Sequence, residues 1–161
     1  MNQNNNLSKV ALILLFFIMA SSQAYSQQSE ELTVFESPTQ MVEAAKAVIT
    51  EIPVYDFKKI NDAENPIVID VRTAAEHKSG AIPGAVNIPR GVLEFRISDE
   101  DIWEEFGKPV PTKSDTIYVY CGTGSRGALS AKVLMQLGYT NVFSVKGGWN
   151  AWHEAYPDSS N

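Results

Sequence analysis

Three short apolar runs most constrain the fold: Pro66-Ile67-Val68-Ile69-Asp70-Val71, Thr116-Ile117-Tyr118-Val119-Tyr120 and Asn141-Val142-Phe143-Ser144-Val145. A strand with one wet face would alternate between apolar and polar residues. These runs do not, so each reads as a strand buried on both faces of a parallel sheet. Ala85-Val86-Asn87-Ile88 supplies a shorter fourth strand. Parallel strands need a crossover, and residues 127–137 provide one: Leu129, Val133, Leu134 and Leu137 fall on one helical stripe that Gly138 stops. Strand, helix, strand at that spacing is a βαβ unit, which places the chain in the α/β class.

The remaining elements are read around this frame. Ser37-Pro38-Thr39-Gln40 carries a capping serine, a proline at the first helical position and a glutamine that can reach back, and predicts a helix over 38–50. Residues 52–55 read as a short extended segment, and 56–60 as a brief helix ending at the polar break Asn61-Asp62. Ser98 is expected to cap a short acidic helix with Ile102 and Phe106 one turn apart and a solvated outer face; Trp103 would support partner docking if its ring were exposed. Residues 149–155 read as a closing helix in which Trp149 and Trp152 are core ballast, with Trp149 also placed to line a pocket.

The first two dozen residues read as an export leader. They combine a polar start with Lys9, an apolar run from Val10 to Ala20 and small residues around Ser22-Gln23-Ala24. The run falls short of the ~20 residues a membrane span needs, so no stable span is expected after cleavage. The expected division is a signal peptide over 1–24, a flexible tether over 25–36, one domain over 37–157 and a tail over 158–161. Cleavage after Ser26 is the competing position. The expected location is accordingly exported, periplasmic or secreted.

A net charge of −6, deepened by one when Lys9 leaves with the leader, argues against nucleic acid as a partner. Cys121 is the single cysteine and cannot close an internal disulfide. His77 and His153 are far apart in sequence and show no metal-ligand spacing, so no metal site is expected and both read as ordinary surface residues.

The chemistry concentrates in Tyr120-Cys121-Gly122-Thr123-Gly124-Ser125-Arg126-Gly127, which follows a buried strand and opens a helix. Open parallel sheets bind ligands at the carboxyl ends of their strands, where Cys121 falls. Three glycines let consecutive amides turn inward without Cβ obstruction, and the helix start adds partial positive charge. Such a loop holds negative charge. An unpaired cysteine ending a strand is commonly a small buried hydrophobe, but this loop behind it is poor core material.

Asp70-Val71-Arg72, the stretch from Gly80 to Pro89 (Gly-Ala-Ile-Pro-Gly-Ala-Val-Asn-Ile-Pro), the Cys121 loop and Gly147-Gly148-Trp149 together resemble, in content and order, the rhodanese family. The resemblance runs from about Ile52 to Ala155. It implies a rhodanese-like fold, a five-stranded, mostly parallel sheet with helices on both faces, and a persulfide-bearing cysteine in a loop that maps onto Cys121 to Arg126. Cys121 would then accept and donate sulfur, and the amides of Gly122, Thr123, Gly124, Ser125 and Arg126 would cradle the terminal sulfur. Asp70, Arg72 and Trp149 would support the site, with Arg72 pairing to Glu76 four residues on. Two departures stand out: Ala81 where a histidine is frequent, and Gly122 where many members carry a basic or amide side chain.

The activity this implies is thiosulfate sulfurtransferase chemistry by double displacement, in which sulfane sulfur passes from a donor such as thiosulfate to cyanide or a thiol. No cofactor is implied beyond the covalent persulfide. Expected partners are small sulfur-containing anions and thiols, with a protein sulfur acceptor as a further candidate, and the chain is expected to be a monomer. A persulfide carrier or non-catalytic partner-binding module stays open. Cysteine phosphatase or arsenate reductase chemistry is a weaker alternative, because those enzymes use a longer loop between cysteine and arginine than Gly122 to Ser125.

Overall fold

The computed structural model describes residues 32–159. The proposed leader, the start of the tether and the last two residues of the tail lie outside the described residues. The elements in chain order are α1 (Pro38–Lys46), β1 (Thr50–Ile52), α2 (Val54–Glu64), β2 (Ile67–Asp70), α3 (Ala74–Lys78), β3 (Ala85–Asn87), a 3-10 turn (Arg90–Val92), α4 (Leu93–Arg96), α5 (Glu100–Glu105), β4 (Thr116–Tyr120), α6 (Ser125–Gln136), β5 (Asn141–Val145) and α7 (Gly148–Ala155).

The strands form one all-parallel sheet in the order β1-β5-β4-β2-β3. This is the five-stranded rhodanese-like architecture that the resemblance implies. Alternation along the strands sends side chains to two cores, one on each face. Ile69, Val71, Ile117, Val119, Cys121 and Val142 pack on one face with Leu93, Ile97, Ile102 and Trp103 of the α4–α5 segment and with Ala131 and Leu134 of α6. Val68, Tyr118, Tyr120 and Val145 pack on the other with Phe57 of α2 and Trp152 of α7. Two apolar faces explain why the central strands lack polar alternation.

Several boundaries differ from the sequence expectation. Helix α1 has the expected cap, Ser37 Oγ accepting from the Gln40 amide at 3.2 Å, while Gln40 Oε1 accepts from the amide of Glu36. It ends at Lys46 rather than 50, because Thr50–Ile52 pairs with Phe143–Val145 as the edge strand β1. The extended segment thus lies earlier than residues 52–55. Helix α2 starts at Val54 behind Pro53 and continues through Asn61-Asp62, where Lys58 pairs with Asp62 one turn on. It stops at Asn65, which adopts a left-handed φ of 45°.

The acidic helix α5 follows Asp99 rather than Ser98. Trp103 is fully buried and its indole N–H donates to Ile97 O at 2.8 Å. This removes the basis for docking through that ring. Phe106, expected to share the buried face of Ile102, is 37% exposed.

Candidate active site

Cys121 leaves the end of β4, the central strand, and α6 begins at Ser125. Between them Gly124 takes a φ of +99°, a conformation that favours glycine, and turns its N–H onto Cys121 Sγ at 3.2 Å. The cysteine is 1% exposed, with hydrocarbon behind it and a backbone donor in front. A thiolate or an anionic sulfur attached to it gains most from such a donor.

The back of the loop is held by α7. The amides of Trp149 and Asn150 donate to the carbonyls of Cys121 and Gly122 at 2.7 and 2.9 Å. Gly147 and Gly148 both have left-handed φ values, and a Cβ on Gly148 would collide with the Cys121 carbonyl. The Gly-Gly-Trp motif is therefore a clasp on the Cys121 loop. Its role was missed in the sequence because the contact spans some 27 positions, from Cys121 to Gly148.

Arg126 does not stand free beside the cysteine. Its Nη1 and Nη2 grip both oxygens of Glu76, at 3.1 and 2.7 Å. Glu76 also completes a capping box with Thr73 at the start of α3. The bonds from Arg126, with those from Thr73, hold its carboxyl down at about 2. The expected Arg72–Glu76 pair is thus a correction: Arg72 precedes α3, and its guanidinium turns back to Asp70.

Asp70, fully buried at the end of β2, accepts from Arg72 Nε and Nη2, from the Arg72 amide and from the Tyr120 hydroxyl, and Asp70 Oδ2 lies 2.9 Å from His77 Nδ1. Burial pushes its carboxyl up, but the bonds from His77 and Arg72 outweigh this and hold it below the usual carboxylate range. Burial, then the Asp70 charge, pushes the Tyr120 hydroxyl well up, so it stays protonated and can donate. His77, read from the sequence as an ordinary surface residue, is part of this cluster; the carboxylate it meets is seven residues earlier on another element. His153 is exposed as expected and stacks on Trp149 with ring centroids 5.2 Å apart.

Arg72 also donates to Gly80 O at 2.7 Å, and its guanidinium lies 4.8 Å from the Trp149 ring centroid. The structure thus gathers Asp70, Arg72 and Trp149 into one cluster, joined to the Cys121 loop through Tyr120 and α7. A surface cavity of about 360 Å³, lined by Glu64, Asn65, Ile67, Lys108, Thr116 and Tyr118, opens at the opposite end of β2 and β4. It takes no part in this arrangement.

A family profile for the rhodanese-like domain matches residues 54–155. Among curated relatives, a sulfurtransferase of Allochromatium vinosum is 32% identical over 95 residues, 59% of this chain and 78% of its own length. The thiosulfate sulfurtransferase PspE of Escherichia coli is 32% identical over 79 residues, 49% of this chain and 67% of its own. The solved structure of the human single-domain sulfurtransferase TSTD1 superposes with a TM-score of 0.59 at 26% identity, covering 65% of this chain and 95% of that one. With the profile spanning well over half its length, the chain belongs to the rhodanese-like domain family.

Proposed function

We propose that the protein is a sulfurtransferase that carries sulfane sulfur on Cys121. The observation that carries this reading is the Gly124 N–H aimed at Cys121 Sγ in a short glycine loop at the end of the central strand. In the first displacement the Cys121 thiolate attacks the outer sulfur of thiosulfate. The new S–S bond forms as the donor S–S bond breaks, and sulfite leaves with the electron pair. In the second, cyanide or a thiolate attacks the outer sulfur of the persulfide and the thiolate of Cys121 is regenerated.

The Gly124 amide, with its neighbours in the loop, stabilises the anionic persulfide and the charge moving between sulfurs. Cys121 is 1% exposed, so a donor must offer a thin terminal sulfur rather than a bulky centre. The short stretch of Gly122 to Ser125 and the engagement of Arg126 by Glu76 both weigh against a tetrahedral oxyanion as substrate. The leader-like residues 1–24 support export as part of the same proposal.

Intact mass tests the reading. The full chain should gain one sulfur on incubation with thiosulfate and release it to cyanide as thiocyanate, and Cys121→Ser should do neither. Sulfur uptake that survives in the serine variant would overturn it. So would Cys121-dependent hydrolysis of an aryl phosphate without any sulfur uptake.

A further inference from the structure

Arg126 lies across the turn that Cys121 begins. A Cβ at Gly122 would meet Arg126 Nη2 at 3.5 Å, an ordinary contact, so the guanidinium stands where a longer side chain at position 122 would extend. It also feels the cysteine. The bonds to Glu76 raise the guanidinium above its usual range, burial opposes them, and the charges of Glu76 and then Cys121 raise it further. A cation is thus placed beside the residue proposed to carry sulfur. The exposed Lys78 on α3 and the exposed Lys146 just before Gly147 make no hydrogen bond or ion pair with the Cys121 loop among the described residues.

Glu76 offsets that cation. Its two carboxylate oxygens hold Arg126 Nη2 and Nη1 at 2.7 and 3.1 Å, and Oε2 also accepts from the amide and the hydroxyl of Thr73 at 2.9 and 2.8 Å, so the carboxylate is fixed from two sides. Held at about 2, its carboxyl is ionised at neutral pH. A donor anion a few ångströms from this pair meets opposite charges whose attraction and repulsion nearly offset. The Gly124 N–H faces the cysteine sulfur, where one negative charge is expected. The Glu76–Arg126 pair leaves no net positive charge for a second one. Thiosulfate carries a second one on its sulfonate, one S–S bond or about 2 Å beyond the sulfur that Cys121 attacks.

We infer that Glu76 sets the donor class of the site: by neutralising Arg126 over Gly122, it holds back the thiosulfate dianion relative to sulfane donors with a single negative charge, such as organic thiosulfonates. This rests on the sulfur-transfer reading and names the substrate class for it. Glu76 acts through Arg126 and is a specificity-determining positioning residue. The first displacement keeps its form. With a thiosulfonate, the Cys121 thiolate attacks the outer sulfur, the new S–S bond forms as the donor S–S bond breaks, and a sulfinate leaves with the electron pair.

The test uses the full chain, cyanide as the common acceptor, and two donors of nearly equal size that differ by one charge: thiosulfate and the methanethiosulfonate anion, in which a methyl group replaces one anionic oxygen. Sulfite and methanesulfinate leave with different intrinsic ease, so the readout is how the ratio of the two kcat/KM values changes between proteins. At low salt Glu76→Gln should raise the thiosulfate-to-methanethiosulfonate ratio about tenfold, mainly through a lower KM for thiosulfate. Glutamine keeps the capping box with Thr73, so α3 is retained. Gly122→Lys, at a position outside the left-handed region, adds a cation without replacing Glu76 and should move the ratio the same way. Both shifts should shrink in 1 M salt, where charges are screened beyond roughly 3 Å. A ratio unmoved by Glu76→Gln, whether or not Gly122→Lys shifts it, overturns the role of Glu76 and leaves sulfur transfer standing. That includes an equal loss with both donors, which is the mark of a merely structural residue. Absence of sulfur uptake from either donor in the wild type overturns the sulfur-transfer reading, and the donor class with it.

Discussion

The Trp149 amide donates to the Cys121 carbonyl at 2.7 Å, fastening the start of the last helix to the residue proposed to carry the sulfur. The bond faces the carbonyl of Cys121 away from its own loop, which leaves the inside of the turn to N–H groups such as that of Gly124. A loop that must present amides to an anion has to dispose of its carbonyls elsewhere, since each needs a partner of its own. Here α7 takes two of them.

Gly148→Ala should therefore disable the site. The substitution places a methyl group against the Cys121 carbonyl and forces a side chain into a left-handed φ of +58°. Strain alone costs roughly 1–2 kcal/mol, and the collision adds to it. Expected are a loss of at least about 2 kcal/mol in thermal unfolding and a more than tenfold slower uptake of sulfur from thiosulfate. Gly138→Ala is the control, because its φ of +90° is also one that an L side chain rarely adopts, but open space surrounds it. It should lower stability and leave sulfur uptake intact. Equal loss of uptake in both variants would show that general destabilisation, not the clasp, is responsible.

Asp70→Asn should be among the most damaging single changes. Arg72 is 2% exposed and would keep its charge without a counter-charge, a situation that costs about 3–5 kcal/mol. Adding Arg72→Met to Asp70→Asn removes the stranded charge and should recover part of the loss. Urea unfolding of the two single variants and the double variant gives the coupling directly. Simple additivity would contradict the buried pair. The depressed titration of Asp70 also fixes a sign: its contribution is complete above the ordinary carboxylate range and fades as pH falls through its lower folded value.

Glu76 gives a sharper pH window. Its carboxyl moves from an ordinary 4.5 to about 2 in the folded chain, chiefly through Arg126 and the Thr73 amide. The stabilisation is fully present above about 4.5 and is lost as pH drops through about 2. The pair is more than a third exposed, so solvent screening limits its worth to under about 1 kcal/mol. Wild type should lose that much more stability than Glu76→Gln between these limits, and the two should differ by a constant amount near neutrality. Parallel pH profiles would show that the pair has no thermodynamic role.

What was legible in the sequence is what local pattern controls. The β-branched runs at 67–70, 116–120 and 141–145, the crossover helix and the glycine loop are signalled by residues adjacent to one another. The profile match confirms the family to which the motif order pointed. The edge strand at Thr50–Ile52 overlaps the expected extended segment 52–55 only at Ile52 and takes Thr50 from the end of the expected helix, because its register is set by pairing with β5, about ninety positions away. Arginine partners were illegible for a similar reason. A spacing of four residues suggested Arg72 with Glu76, but Arg72 lies outside the helix that would make such spacing meaningful. Its true partner is the strand end two residues earlier, and Glu76 is claimed by Arg126 from another part of the chain. His77 follows the same rule.

Ser144 sets the last expectation. It is fully buried on β5 and its hydroxyl has no hydrogen-bond partner among the described residues, as is also true of Ser130 on α6. Gly127 leaves room for it: a Cβ there would sit 3.2 Å from Ser144 Oγ and 3.5 Å from the Cys121 amide nitrogen. An unsatisfied buried hydroxyl costs about 1–3 kcal/mol, so its removal should relieve more than the small loss of packing. Ser144→Ala is therefore expected to hold or raise the unfolding free energy by up to about 1 kcal/mol, with sulfur uptake unchanged. A clear loss of stability would mean that the hydroxyl is bonded in solution, and a buried water between β5 and α6 is the partner that a high-resolution crystal structure would then reveal.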